Sequence, residues 1–140
     1  MGSRRKSREL ALQMLFQWEQ GQHAPAHVLA SFLKARKLGV DVEEFARDLF
    51  EGTVAEAANL DQLVREHAEN WRLERMAAVD RNILRLALFE LLHRPGTPPA
   101  AVINEALEIA RRYSDKDSVN FVNGVLDAIR KARVKTGTPP

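Results

Sequence analysis

Residues 80–92, Asp80-Arg81-Asn82-Ile83-Leu84-Arg85-Leu86-Ala87-Leu88-Phe89-Glu90-Leu91-Leu92, decide the fold of this chain. On a helical wheel at about 100° per residue, most of their apolar side chains fill one broad arc: Ile83, Leu84, Ala87, Leu88, Leu91 and Leu92. Leu86 and Phe89 add a second apolar pair on the other side. A helix that is apolar on two sides has neighbours on two sides, so we predict the central helix of an all-α domain. Arg81 and Arg85 lie one turn apart and predict a narrow basic stripe where this helix reaches the surface.

Helical periodicity continues on both sides of the central helix, and no alternation of period two interrupts it. We therefore predict about seven helices. The others run from about Ser7 to Gln20, with Gly21 as the stop; from Pro25; from a capping box at Asp41 and Glu44; from about Asp61 to Ala68; from an N-cap at Thr97 to Tyr113; and from about Ser118. The sixth of these seven helices is expected to bury Val102, Ala106, Ile109 and Tyr113.

Length and composition predict one soluble domain. The chain has 140 residues, of which 45% are hydrophobic and 29% charged, and no apolar run is long enough to span a bilayer. We expect an N-terminal helical half at about 1–70, a C-terminal half at about 71–135 that Trp71 and Leu73 lead into, and a basic disordered tail from Thr136 to Pro140. The chain has no cysteine, which fits a cytoplasmic protein.

Signals for catalysis are weak. His23, His27, His67 and His93 do not have the spacing of a zinc-binding HExxH motif, and no cysteine completes a mixed zinc site. The chain also lacks a P-loop and the GxGxxG fingerprint of dinucleotide-binding proteins. We therefore expect no enzyme, no cofactor and no metal.

Signals for nucleic-acid binding are stronger. Arg4, Arg5, Lys6 and Arg8, the N-terminal basic cluster, stand at the entrance to the first predicted helix. Phe16 falls roughly 170° from the centre of the core face of that helix. Cations beside an exposed ring suit single-stranded nucleic acid, because the charges bind phosphates and a base stacks on the ring. The alternatives are that the cluster is a solvated tail and that Phe16 packs on another helix.

The last helix carries a second aromatic residue near the edge of its core face. Phe121 lies about 100° from the centre of that face, which leaves open whether it packs against the central helix or is exposed. Gly124 lies on the same helix, and a glycine inside a helix costs about 1 kcal/mol relative to alanine. We therefore expect another backbone to approach Gly124 closely.

Four segments, in order, resemble the NusB family of bacterial transcription antitermination factors over nearly the whole chain. They are residues 4–13, RRKSRELALQ; residues 80–91, DRNILRLALFEL; residues 103–110, INEALEIA; and residues 118–127, SVNFVNGVLD. The resemblance implies an all-α fold of two packed helical halves. It also implies binding of the boxA element of nascent rRNA together with NusE, a ribosomal protein of the small subunit. That complex would join NusA and NusG on RNA polymerase.

The resemblance also implies roles for individual residues. RNA-facing positions would be Arg4, Arg5, Lys6, Arg8, Phe16, Asp80, Arg81, Arg85 and Phe121, and NusE-facing positions would be Glu90 and Asp117. Phe16 replaces a tyrosine common in the family, which keeps the ring and loses a hydroxyl. Lys6 stands where some relatives have arginine, and lysine cannot form a bidentate phosphate contact.

Two questions remain open at this point. The chain is either such an RNA-binding factor or a helical protein–protein adaptor whose basic ends only aid solubility, and salt-dependent RNA binding separates the two. It is either a monomer or a homodimer, and a homodimer would hide the RNA surface.

Overall fold

Seven α-helices form the part of the chain that the structure describes. The structure is a computed structural model, and it describes residues 2–68 and 73–135. The helices are α1 (Gly2–Gly21), α2 (Pro25–Lys34), α3 (Val40–Ala55), α4 (Ala57–His67), α5 (Ala78–His93), α6 (Pro99–Tyr113) and α7 (Lys116–Lys135), with one 3-10 turn at Leu73–Arg75. Within these ranges no residue is in a strand, which confirms the all-α prediction.

Helix α5 lies at the centre, as its two apolar sides predict. It packs against α1, α3, α4, α6 and α7. Ile83, Leu84 and Leu88 are buried on its broad arc, and Leu86 and Phe89 are buried on the other side. Because α5 is enclosed by five helices, apolar residues from both ends of the chain join one core.

Helix α3 approaches α5 closely at a glycine. A Cβ atom added to Gly52 would lie 2.0 Å from Cζ of Phe89, so only the absence of a side chain lets the Phe89 ring lie against α3. The expected close approach at Gly124 is wrong, because nothing lies within 4 Å of a Cβ built there. The glycine that this fold needs for packing is thus in α3, not in α7.

Several predicted helix starts are wrong by a few residues. Helix α3 begins at Val40 with Gly39 as its N-cap and no side-chain cap bond, so Asp41 and Glu44 form no capping box. Helix α6 follows Pro98 rather than Thr97. A cap contributes only about 1 kcal/mol, and packing of the apolar face contributes more, so tertiary contacts decide where these helices begin.

Two other starts are earlier than predicted. Helix α4 begins at Ala57, not at Asp61, and α7 begins at Lys116, not near Ser118. The Ser118 N–H donates to the Asp115 carboxylate at 2.8 Å. This bond caps the first turn of α7 and lowers the pKa of Asp115.

Helix α1 is longer than predicted and includes the N-terminal basic cluster in its first two turns. Cations at a helix N-terminus face the positive end of the helix dipole, and carboxylates from other helices offset this cost for Arg5 and Arg8. At the other end, Gly21 is the last helical residue, and Gln22 after it has the left-handed φ of 54°.

Tyr113 is not buried, contrary to expectation. It is the last residue of α6 and is 39% exposed, because the helix end projects past the core. Trp71, the boundary between the predicted halves and the tail from Thr136 to Pro140 lie outside the described residues. None of the described helices is long and apolar enough to cross a membrane.

Candidate nucleic-acid interface

Two members of the N-terminal basic cluster, Arg5 and Arg8, form ion pairs with carboxylates on other helices. Arg8 is 6% exposed, and its Nε and Nη2 atoms donate to the two Glu90 carboxylate oxygens at 2.8 and 2.6 Å. Arg5 donates in the same way to Glu105 of α6, with both bonds at 3.0 Å. Half of the cluster is therefore already paired with carboxylates.

Arg4 and Lys6 form the exposed part of the cluster. The Arg4 guanidinium lies over the Phe45 ring, 3.9 Å from its centroid, in a pocket that Asp41 and Glu44 of α3 also line. In the described part of the chain neither Arg4 nor Lys6 forms an ion pair with a carboxylate. Within the cluster, these two cations are the exposed ones.

The ion pair of Arg5 with Glu105 is partly open to solvent, since 38% of the Arg5 side chain is accessible. The hydrogen bond from Arg5 lowers the pKa of the Glu105 carboxyl, although partial burial opposes it. The same bond raises the pKa of Arg5. The pair therefore stays charged at neutral pH, and a phosphate that approaches Arg5 competes with Glu105.

Contacts continue from this pair along one seam between α1 and α6. Arg112 of α6 donates to Glu9 of α1, and the Gln13 side-chain amide donates to the Tyr113 hydroxyl at 3.4 Å. We call this line of contacts the α1–α6 seam. Phe16 follows Gln13 by about one turn of α1.

Phe16 is exposed, as the helical wheel predicts. Its side chain is 43% exposed and separates two grooves. One, of about 380 Å³, lies between α1 and α2 beside His23 and His27. The other, of about 360 Å³, lies where α1, α2, α5 and α6 meet and is also lined by Tyr113. Phe16 is therefore not part of the buried core, although it lines both grooves together with residues of α2.

The predicted basic stripe on α5 is largely covered, because Arg85 is buried and only 13% of the Arg81 side chain is accessible. Arg85 is 6% exposed and donates to Asp61 of α4 at 2.7 and 2.9 Å and to Glu19 of α1 at 2.5 Å. Arg81 donates to both Glu19 oxygens at 2.8 and 2.7 Å. These ion pairs tie the end of α1 to α4 and α5.

Glu19 is the centre of this network. Burial raises the pKa of its carboxyl, but hydrogen bonds from Arg81 and Arg85, together with their charges, outweigh burial and hold the pKa at about 2. The side chain is 19% accessible. Glu19 is thus ionised at neutral pH and anchors two arginines that the resemblance assigns to RNA.

Asp80 fixes the corner between α6 and α7. It is 7% exposed, and its two carboxylate oxygens accept hydrogen bonds from the Ser114 and Ser118 hydroxyls at 2.9 and 2.7 Å. Phe121 is half-buried against the core, which agrees with its position at the edge of the wheel. Asp80 is therefore buried at this corner, and Phe121 remains partly exposed beside the core.

The two expected partner-facing residues lie in different environments. Glu90 is 1% exposed and faces Arg8 inside the protein, so the premise that it lies on an outer surface is wrong. Asp117 is exposed in the first turn of α7. Glu90 is buried because other helices enclose α5 on nearly all sides.

Sequence reasoning missed Glu19, Glu105 and Tyr113. Glu19 lies in the last turn of α1, where the helix dipole disfavours an anion. An anion at that position indicates that cations from other helices compensate its charge. Glu105 and Tyr113 carry no such local signal, because their contacts depend on how α6 docks on α1. No group of three possible metal ligands occurs among the described residues.

Comparisons with known proteins show which family the chain resembles. The family model described as the NusB family matches residues 5–131. The transcription antitermination protein NusB of Koribacter versatilis is 54% identical over 131 residues, which cover 93% of this chain and 90% of that protein.

Two solved structures are also similar. NusB of T. maritima superposes with a TM-score of 0.84 at 35% identity, covering 98% of this chain and 93% of that one. A crystal structure of the antitermination factors NusB and NusE in complex with double-stranded RNA has a TM-score of 0.84 at 29% identity, covering 94% and 98%. The chain therefore belongs to the NusB family of transcription antitermination proteins.

Proposed function

We propose that this protein binds boxA-type single-stranded RNA of rRNA operon leaders together with NusE. The bound complex would join NusA and NusG on RNA polymerase in the cytoplasm and suppress premature termination. The observation that carries this proposal is the exposed ring of Phe16 on the helix that also presents Arg4 and Lys6. A similar chain has been crystallised with NusE and double-stranded RNA, which supports NusE and RNA as classes of partner.

The proposed RNA surface follows α1. Arg4 and Lys6 bind phosphates directly, Phe16 stacks on a base, and Arg5 contributes when it leaves Glu105. The inner charged residues position this surface, because their buried ion pairs fix α1 against its neighbours: Arg8, Arg81 and Arg85. Asp80 holds the corner between α6 and α7, and the partly exposed Phe121 ring on α7 is a further RNA-facing position in this proposal.

The proposed NusE surface is less defined. Asp117 is exposed at the start of α7 and is available to a partner protein. Glu90 contributes only through Arg8, since the two carboxylate oxygens are both occupied. NusE therefore meets Asp117 on the outside and does not contact Glu90.

A titration of labelled boxA-type RNA tests the proposal. The protein is added alone and with its NusE, at two salt concentrations, and the oligomeric state is measured by sedimentation in the same buffers. We expect salt-dependent binding that NusE strengthens, because phosphate contacts release counterions. A scrambled RNA of the same length serves as control.

Two results would contradict the proposal. RNA binding that is absent with and without NusE, while NusE itself still binds, would favour the protein–protein adaptor. Equal affinity for boxA-type and scrambled RNA would leave a nonspecific RNA-binding protein.

The sedimentation measurement addresses a separate question. A homodimer that dissociates when RNA is added would mean that the RNA surface is hidden in the free protein.

A further inference from the structure

Tyr113 is a second exposed aromatic residue beside Phe16. It closes the groove of about 360 Å³ where α1, α2, α5 and α6 meet, which we call the Tyr113 groove. We infer that this groove takes a second unstacked nucleobase of the RNA, held against the Tyr113 ring. The inference rests on the proposed function and extends it from one base-stacking position to two.

Two aromatic rings flank the groove from different helices. Phe16 of α1 is 43% exposed and Tyr113 of α6 is 39% exposed, and both line the same space. Its floor is apolar, formed by Leu12, Phe32 and Val79. An apolar space lined by exposed aromatic rings is the kind of environment that an unpaired base occupies in single-stranded nucleic-acid sites.

The charge of the groove suits an anionic ligand. Arg36 lies on its wall, with the guanidinium 3.6 Å from the centroid of the Phe32 ring and Nη1 donating to the Phe32 carbonyl at 2.7 Å. Of the described residues that line the groove none is acidic. Arg36 forms no ion pair with a described carboxylate, so its charge is available to a phosphate.

Hydrogen-bonding groups at the rim suit a base rather than an apolar side chain. Gln13 and Gln17 bring amide groups to the groove, and the Gln13 amide already contacts the Tyr113 hydroxyl. Amides can both donate and accept, as the edges of unpaired bases require. The Tyr113 hydroxyl thus contacts Gln13, while 39% of the residue remains exposed.

The groove also continues the proposed RNA surface. The α1–α6 seam leads from Arg5, at the Glu105 ion pair, to Gln13 and Tyr113. Along α1, Arg5 and Phe16 lie on one face, about 16 Å apart. A strand that binds phosphates near Arg5 and stacks on Phe16 therefore passes the mouth of the Tyr113 groove.

Binding of fluorescein-labelled single-stranded boxA-type RNA, measured by anisotropy with NusE present, tests this inference. Tyr113→Ala should weaken binding by about 5- to 150-fold, the range typical of a lost base stack, and leave the salt dependence unchanged. Tyr113→Phe should bind nearly as well as the wild type because the ring remains. Val40→Ala is the matched control, since Val40 is an exposed apolar residue at the start of α3.

A second readout separates stacking from charge. In this readout 2-aminopurine, whose fluorescence falls when it stacks, replaces one base of the RNA at a time. We expect its fluorescence to fall on binding at two positions, one where the base stacks on Phe16 and one where it stacks on Tyr113. Tyr113→Ala should restore the fluorescence only at the second position. Arg36→Gln should reduce the slope of log affinity against log salt by about 0.7, the value for one single-strand phosphate contact.

Several results would overturn the inference. Unchanged RNA affinity of Tyr113→Ala per folded molecule would remove Tyr113 from the site while leaving the proposed function intact. Loss of NusE binding with normal RNA affinity would reassign the groove to a protein. Absence of RNA binding by the wild type would remove both proposals. Tyr113→Leu, which keeps apolar bulk without an aromatic face, gives the same test if the alanine variant melts below the assay temperature.

Discussion

Arg8 and Glu90, 82 residues apart in the chain, form a buried ion pair with two hydrogen bonds of 2.8 and 2.6 Å. The pair joins the first turns of α1 to the last turns of α5. Arg8 is expected from the family resemblance to face RNA and Glu90 to face a protein, yet each faces the other. We therefore expect the pair to hold α1, with the exposed part of the basic cluster, in place.

Removal of one partner should be strongly destabilising. Arg8→Ala leaves the Glu90 carboxylate buried and uncompensated, which typically costs about 3–5 kcal/mol, and urea denaturation measures the loss. The double variant with Arg8→Met and Glu90→Met should lose less, because it removes both charges. Arg4→Ala is the control, and a loss for Arg8→Ala no larger than for Arg4→Ala would mean that the pair contributes little.

Two glycines should respond in opposite ways to alanine. Gly52→Ala forces the Phe89 ring away from α3 and should destabilise by about 1–3 kcal/mol, the usual cost of overpacking. Gly124→Ala meets no atom within 4 Å and should stabilise by up to about 1 kcal/mol through helix propensity. Thermal unfolding of the two variants tests both expectations. Equal melting temperatures for Gly52→Ala and Gly124→Ala would contradict this packing of α3 on α5.

Stability should fall in acid partly because of Glu19. Its pKa is held at about 2 in the folded protein and lies near 4.3 in an unfolded chain, so its contribution is complete above that range and disappears as the pH falls toward 2. That contribution is on the order of 3 kcal/mol. Glu19→Gln should therefore be less stable at pH 7 and show a flatter decline between pH 5 and 2. Parallel pH profiles for both proteins would show that Glu19 is not the titrating group.

Periodicity predicts the position of each residue on its own helix, and it does so well here. It places Leu88 inside the core and Phe16 outside it, and both positions are confirmed. It does not predict which helix covers a polar residue. Arg85 lies off the broad apolar arc of α5, yet Asp61 and Glu19 from two other helices meet it, and only tertiary packing decides this.

The same limit applies to the candidate site. The sequence identifies the N-terminal basic cluster, and the family resemblance assigns it to RNA, but neither distinguishes its paired from its unpaired members. Glu105, which pairs with Arg5, is separated from it by 100 residues. Tyr113 fits a buried position by its spacing in α6, and it is exposed only because the helix ends there.

Phe16 should contribute to RNA binding and little to folding. Phe16→Ala should weaken binding by about 1–3 kcal/mol through the lost stack, with the salt dependence unchanged because a ring releases no counterion. Phe16→Tyr should be tolerated. Thermal stability measured on the same variants separates the roles, and a large loss of stability with normal affinity per folded molecule would return Phe16 to a packing role.

Release of Arg5 from its carboxylate should strengthen RNA binding. Glu105→Gln removes the negative charge that competes with phosphate for Arg5, so affinity should rise and the slope of log affinity against log salt should steepen by about 0.7. Glu108→Gln is the matched control, because Glu108 lies on the same helix, is exposed and pairs with Arg111, while its charge acts on Arg5 more weakly than that of Glu105. Both variants change the net charge equally, so a gain confined to Glu105→Gln identifies Arg5 as the added contact. Arg5→Ala in the Glu105→Gln background should then cancel the gain, and a gain that survives this second change would show that Arg5 binds no phosphate.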